Sequence, residues 1–381
     1  MERAELIALL RGTGCAEEHG GFTFLTDPAW GARDRETVAA LQKSEIVTRE
    51  SKIDSGWLCV PTGGTSGGVR FARHDERTLT AAAAGFGAHF GLDRVNAVGV
   101  LPPHHVSGLM ARVRCAATGG HYVGWTWKEL EAGHRPELGA GDWVLSLVPT
   151  QLQRLLASPD AVTWLRRFRI ILLGGGPTWP ELADQAAADR LPVSLSYGMT
   201  ETSAMVAALR PEEFLAGERS SGPALPHARL AIEGEGRVTI GGASVFRGYF
   251  PDERYEEPFV TEDLGRLDER GHLHLLGRRD AVIITGGKKV QPLEVESALR
   301  ASGEFSDVAV MGVPDPEWGQ VVVACHPRRE PAPDAARVAA ALAGLAAYKR
   351  PKRLLAVDPW PRNAQGKLNR AALLAAVGST E

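Results

Sequence analysis

Short apolar runs at 97–101, 144–148, 170–173 and 193–196 alternate with helical patterns at 106–117, 151–157 and 180–188. Strands separated by helices do not pair as hairpins. They align in parallel, with helices covering both faces of one sheet. An alanine-rich helical pattern at 78–90 precedes them. The fold class is therefore α/β, and in such sheets ligands bind at the loops leaving the carboxyl ends of the strands. Near residue 230 the texture changes. Runs at 230–232, 237–240 and 273–276 alternate and are joined by glycine-containing turns, so they read as antiparallel strands. After Arg279 a new unit begins: strand 281–284, helix 292–301, strands 308–313 and 321–325, helix 335–347, strand 354–357. The expected division is a domain over 1–279 and a smaller α+β domain over 280–381. The first 55 residues offer only helical patterns at 5–10 and 35–43.

The bulk composition excludes several classes. With a net charge of −3 over 381 residues, nothing points to nucleic acid or an anionic membrane as partner. Cys15, Cys59, Cys115 and Cys325 lie far apart, which excludes a Cys-x-x-Cys zinc site and fits a reducing cytoplasm. No His-Glu-x-x-His spacing occurs. The N-terminus carries acidic residues and no apolar signal core. No apolar run approaches the ~20 residues of a membrane span. The expectation is a soluble cytoplasmic protein.

Several short motifs carry chemistry. Thr62, Gly63, Gly64, Thr65, Ser66, Gly67 and Gly68 follow an apolar run and precede Arg70. Glycines let several N–H groups converge on one anion, and hydroxyls and a guanidinium add donors, so the natural guest is a polyphosphate. A flexible surface turn is the alternative. The missing Gly-Lys-[Ser/Thr] excludes a Walker loop. Gly174, Gly175, Gly176 and Pro177 follow a strand and leave room for a flat ring against bare backbone, or simply make a tight turn. Ser196, Tyr197, Gly198, Met199, Thr200 and Glu201, just after the next strand, offer an aromatic face, a hydroxyl and a hard oxygen ligand for Mg²⁺. Asp263 and Arg278 bracket a hairpin and suit the hydroxyls of a ribose, or a surface ion pair. Lys367 lies in a polar turn near the C-terminus.

Together, in this order, these pieces resemble the adenylate-forming superfamily of acyl-CoA synthetases, adenylation domains and luciferases, over roughly residues 55–381. The resemblance implies a large N-terminal α/β domain of the adenylate-forming type, a hinge at Asp280, and a small mobile α+β C-terminal domain. It implies that residues 62–70 grip the β- and γ-phosphates of ATP. The Gly174–Pro177 turn and the Ser196–Met199 segment form the adenine site, with Tyr197 stacked on the ring. Thr200 contacts the α-phosphate, Glu201 holds Mg²⁺, Asp263 and Arg278 bind ribose, and Lys367 is catalytic in adenylation. Gly286, Gly287 and Lys288 meet coenzyme A.

A narrower resemblance lies in Leu101-Pro102-Pro103-His104-His105-Val106-Ser107-Gly108-Leu109, which is similar to the o-succinylbenzoate–CoA ligases of menaquinone biosynthesis. It implies an acid pocket of His105, Ser107 and Gly108, with Arg114, or else Arg112, pairing with the second carboxylate of the acid. The alternative for these arginines is a solvent-facing helix surface. His104 and His105, adjacent at a helix start, are expected to point apart, against a metal site. The sequence departs from the family pattern in three places: Arg70 replaces a lysine, Glu262 a glycine, and Lys288-Lys289 the usual Glu or Asn. The chain also reads as short at its N-terminus, a homodimer being one way of replacing the absent portion. The function expected is an ATP-dependent acid–CoA ligase for 2-succinylbenzoate. Ligation of another acid, loading of a carrier protein, or nucleotide binding without turnover are the other readings.

Overall fold

The computed structural model describes residues 1–43, 55–63, 69–251, 257–328, 331–362 and 368–378. The N-terminal segment is more structured than its sequence suggests. A helix over Arg3–Arg11 is followed by strands β1 (Ala16–His19) and β2 (Phe22–Leu25) and a helix over Ala32–Gln42. Strand β2 pairs in parallel with β3 (Leu58–Gly63), which pairs antiparallel with β4 (Val69–His74), giving the order β1-β2-β3-β4. All four residues of β2 are buried. Phe24 meets Phe71 and Phe250 edge-on at 5.2 and 5.1 Å, and Leu6 and Leu10 close the same core. Burial of such side chains stabilises by about 1.5–3 kcal/mol each. This segment is integral to the fold.

The central sheet has the order β10-β9-β8-β7-β5-β6, from β5 (Asn96–Gly99), β6 (Tyr122–Gly124), β7 (Trp143–Leu147), β8 (Ile170–Leu173), β9 (Val193–Met199) and β10 (Ala204–Ala208). Five strands are parallel, as the alternation implies, and β10 runs antiparallel to β9. Helices over Glu76–Phe90, Val106–Thr118, Pro149–Leu156 and Pro180–Ala188 lie close to the expected spans. Two expectations are corrected. The strand expected at 193–196 extends through Tyr197 and Gly198, so these residues lie within β9 and not after it. The run Ala204–Ala208, where no strand was expected, is one. Ser203 (φ 54°) and Ala204 (φ 76°) turn the chain back through left-handed conformations, and pairing with β9 then overrides propensity.

The chain leaves β5 to form β6 on one side and β7 on the other. The crevice beyond the carboxyl end of β5 is therefore a topological switch point, the favoured ligand position in such sheets. Strands β11 (Ala228–Glu233), β12 (Arg237–Gly242), β13 (Phe259–Leu267) and β14 (Leu273–Arg278) form an antiparallel sheet in chain order.

Beyond it, β15 (Ile283–Thr285) and β16 (Lys288–Val290) form a hairpin, and β17 (Ala309–Asp315), β18 (Gly319–Pro327) and β19 (Arg353–Val357) a small sheet. Its two apolar clusters draw only on residues from Ile283 onward, one packed under the helices Pro292–Ala301 and Ala335–Leu342, the other under the helix Arg370–Gly378. The strand expected from 281 starts at Ile283, after a 3₁₀ turn over Arg279–Ala281. The helix expected to 347 stops at Leu342, just before Gly344, and a 3₁₀ turn covers Ala347–Lys349.

Candidate active site

Strands β3 and β4 flank the glycine-rich loop in sequence, with Thr62 paired to Arg70 and Gly63 to Val69. Gly64, Thr65, Ser66, Gly67 and Gly68 lie outside the described residues, as does Lys367. Both stretches are framed closely: Arg362 bridges to Leu368 across the loop that carries Lys367. The Arg70 guanidinium stacks 4.4 Å above the Tyr249 ring.

Glu201 lies against the end of β3. Its Oε1 accepts hydrogen bonds from the Tyr249 hydroxyl (2.7 Å) and the Thr62 hydroxyl (3.3 Å), and the residue is 6% exposed. Both bonds land on one oxygen, so the carboxylate is fixed while Oε2 remains available to a cation. A rigid hard-oxygen donor held by Thr62 and Tyr249 fits Mg²⁺.

A buried histidine, not singled out in the sequence, holds the segment from Thr200 to Ser203. His74 Nε2 lies 2.8 Å from the Thr200 carbonyl and so donates to it, while Nδ1 lies 3.1 Å from both the Thr78 and Ser203 hydroxyls. Ser203 in turn donates to the Ser244 carbonyl at 3.0 Å. Beside it, Asp75 caps the helix Glu76–Phe90 and takes the Arg247 guanidinium at 2.8 Å. Burial lowers the His74 pKa from 6.5 to about 4. The unfolded chain therefore takes up this proton first as pH falls. The stability His74 contributes is fully present above pH 6.5 and is lost as pH falls towards 4, by roughly 3 kcal/mol in all. Urea midpoints at pH 7 and pH 5 should differ in that direction, and His74→Gln should flatten the difference; an unchanged slope in the variant would remove His74 from this account.

The expected ribose pair is brought together by register: Asp263 on β13 faces Arg278 on β14. Arg278 Nη1 lies 3.4 Å from Asp263 Oδ1 and also grips Asp280 at 2.8 and 2.6 Å. The Tyr197 hydroxyl donates to Asp263 Oδ2 at 2.8 Å, and burial followed by the Asp263 charge pushes its pKa far up. Burial raises the Asp263 pKa, opposed by Tyr197 and Arg278. Tyr197 is 6% exposed, with its ring in an apolar cluster that includes Val206, Val238 and Leu273. Glu262, in place of a glycine, takes Arg279 at 2.8 Å and Arg237 at 3.1 Å. Gly174 leaves β8, and a Cβ there would approach Ser196 Oγ to 2.9 Å, while Gly176 faces open space.

The segment after β5 reaches the switch point. His105 is the N-cap of the helix Val106–Thr118. A Cβ at Gly108 would come within 2.1 Å of the Pro102 carbonyl oxygen, so only glycine lets the helix fold back on its own entry loop. His104 and His105 do not point apart, as the sequence suggested: their ring centroids are 4.2 Å apart, and the Asp27 carboxylate joins them. The helix start bends the two rings together before regular helical spacing applies.

Arg112 lies 4.2 Å over the Tyr122 ring, partly exposed. Arg114 is 3% exposed and stacks 4.3 Å over Phe86, which excludes a solvent-facing role for it. Neither Nε has a hydrogen-bond partner, and among the described residues no carboxylate pairs with Arg114. Burial lowers its pKa to about 10, so it stays charged at neutral pH. An unpaired buried cation costs several kcal/mol unless something compensates it.

In the small domain Gly286 (φ 53°) and Gly287 (φ 75°) turn the β15–β16 hairpin. The Gly286 N–H donates to the Trp318 carbonyl at 2.9 Å, and a Cβ at Gly286 would meet the Trp318 ring at 2.8 Å. Lys352 sits 4.2 Å over Trp318, and Lys288 4.6 Å over Tyr348. Sequence reading missed Trp318, Tyr348 and Lys352. Their signal is only that large aromatics stay exposed, at 40% for Trp318 and 36% for Tyr348.

Comparison with known proteins bears on this geometry. The AMP-binding enzyme family matches residues 14–250, and the AMP-binding enzyme C-terminal domain matches 294–367. The match reaches into the first 55 residues, which corrects the narrower span read from motifs. A 2-succinylbenzoate–CoA ligase of Oceanobacillus iheyensis is 32% identical over 357 residues, 88% of this chain and 73% of the relative. A probable 2-succinylbenzoate–CoA ligase of Mycobacterium tuberculosis is 37% identical, covering 83% of each. The structure of o-succinylbenzoate CoA synthetase from Bacillus subtilis with its acyl-adenylate intermediate superposes with a TM-score of 0.73 at 28% identity, over 92% of this chain and 78% of that one. The chain belongs to the AMP-binding enzyme family.

Proposed function

We propose that this chain is an AMP-forming acid–CoA ligase that converts 2-succinylbenzoate to 2-succinylbenzoyl-CoA, a step of menaquinone biosynthesis. The observation that carries the choice of acid is Arg114, a buried guanidinium without a carboxylate partner among the described residues, two turns along the helix that His105 opens at the switch point. A benzoate with a second carboxylate on a short arm supplies the missing anion. His105, Ser107 and Gly108 line the other end of that pocket, and Arg112 plays the lesser part.

In the first half-reaction a carboxylate oxygen of the acid attacks the α-phosphorus of ATP. The bond to the bridging oxygen breaks and pyrophosphate leaves. Thr200 and Lys367 steady the charge on the α-phosphate, Tyr197 and the Gly174–Pro177 turn bound the adenine, and Asp263 with Arg278 holds the ribose. Mg²⁺ held by Glu201 would neutralise phosphate charge. In the second half-reaction the thiolate of coenzyme A attacks the acyl carbon, the mixed-anhydride bond breaks and AMP leaves. The turn of Gly286 and Gly287, with Lys288, Lys352, Trp318 and Tyr348, offers aromatic faces and cations suited to the nucleotide end of coenzyme A, which supports coenzyme A over a carrier protein.

The two steps need different surroundings, and the boundary between domains at 280 serves them. Arg278 links Asp263 of the ribose site to Asp280 of the 3₁₀ turn, so rotation at Asp280 is felt at the nucleotide. Asp280→Pro should reduce thioester formation far more than ATP–pyrophosphate exchange; equal loss of both would contradict the hinge. The choice of acid is tested by ATP–pyrophosphate exchange with 2-succinylbenzoate and with benzoate. Exchange should require the dicarboxylate, and equal rates with benzoate would count against the assignment of Arg114.

A further inference from the structure

Asp27, His104 and His105 meet where the N-terminal segment touches the loop after β5, and the ligase chemistry uses neither Asp27 nor His104. We propose that these three side chains form a binding site for a borderline divalent transition metal of the Zn²⁺ class. Their donor atoms all lie within 4.8 Å of one another, and His104 Nε2 is 3.3 Å from Asp27 Oδ2. That spacing equals the edge of a tetrahedron around an ion with bonds of about 2.0–2.1 Å. His105, the third member of the group, is partly exposed.

The independent observation is His104 itself. Its side chain is 6% exposed, Nδ1 has no hydrogen-bond partner among the described residues, and Nε2 has only the 3.3 Å approach to Asp27. Leaving such atoms unsatisfied costs about 1–3 kcal/mol. A neutral ring can donate a single N–H to Asp27, and a metal can stand in that proton's place. A metal accepts the neutral ring and the carboxylate together. Two imidazole nitrogens and one carboxylate oxygen favour Zn²⁺, Co²⁺ or Ni²⁺ over Mg²⁺, which prefers oxygen ligands, so this site is distinct from the one at Glu201. A bound ion would staple the N-terminal segment to the loop that carries His105 and leave one coordination position open.

The test is titration of metal-free, nucleotide-free protein with Co²⁺, reading the visible ligand-field bands of four-coordinate cobalt and their displacement by Zn²⁺. One equivalent should bind. His104→Gln and Asp27→Ala should weaken binding by more than the roughly 10–100-fold that outer-shell changes cost, and Glu201→Gln should leave it intact. Zn²⁺ should also raise the Tm of the unsubstituted protein and not that of Asp27→Ala. If His104→Gln does not fold, Asp27→Ala and His105→Gln carry the test. No bands, or bands unchanged in these variants, would overturn the proposal.

Discussion

Arg114→Met is expected to do two opposite things. The variant should lose about 10²–10⁴-fold in kcat/KM for 2-succinylbenzoate, because a carboxylate left unpaired in a buried pocket costs about 3–5 kcal/mol. The same substitution should leave the Tm of the free protein unchanged or higher, since it removes a 3%-exposed charge with no carboxylate partner among the described residues and replaces it with a side chain that packs on Phe86. Thermal unfolding and steady-state kinetics on one preparation measure both. A lower Tm together with lost activity would make Arg114 a structural residue, and unchanged kinetics would remove it from the acid pocket.

Lys367→Ala is the second large effect. If this lysine meets the α-phosphate as charge builds there, its removal should slow adenylation by about 10²–10³-fold, the usual cost of one such donor. ATP–pyrophosphate exchange reads that step directly. Transfer from pre-formed acyl-adenylate to coenzyme A should be much less affected, because the lysine has no part in it. Equal loss in both assays would place Lys367 elsewhere in the cycle.

Much of the fold was legible because it is built from local signals. The helices Pro180–Ala188 and Pro292–Ala301 begin at a proline, which suits the first helical position, and both are found at the expected bounds. The strand Ile170–Leu173 is a buried apolar run between clear breaks. What escaped depends on distant partners. Strand β10 is an alanine-rich run that becomes a strand only through pairing with β9. Strand β1 is polar, with three of its four residues exposed, and is defined by β2 beside it.

The site divides the same way. Glycine and hydroxyl motifs mark where backbone must approach a ligand, so the nucleotide loops could be read one by one. The register that sets Asp263 against Arg278, and the buried contacts of His74 with Thr200 and Ser203, join residues far apart in the chain. Arg112 and Arg114 look alike in sequence, and only burial separates them: one lies over Tyr122 at the margin, the other is enclosed against Phe86. The two histidines at 104 and 105 were misjudged because helical spacing was applied to a helix start, where His105 is still in extended conformation.

The central claim is best tested by mass spectrometry of the product. Purified protein is given ATP, Mg²⁺ and coenzyme A with 2-succinylbenzoate, benzoate or a medium-chain fatty acid in separate reactions. The account predicts 2-succinylbenzoyl-CoA and AMP from the first alone. A thioester from benzoate or the fatty acid, with none from 2-succinylbenzoate, would contradict it.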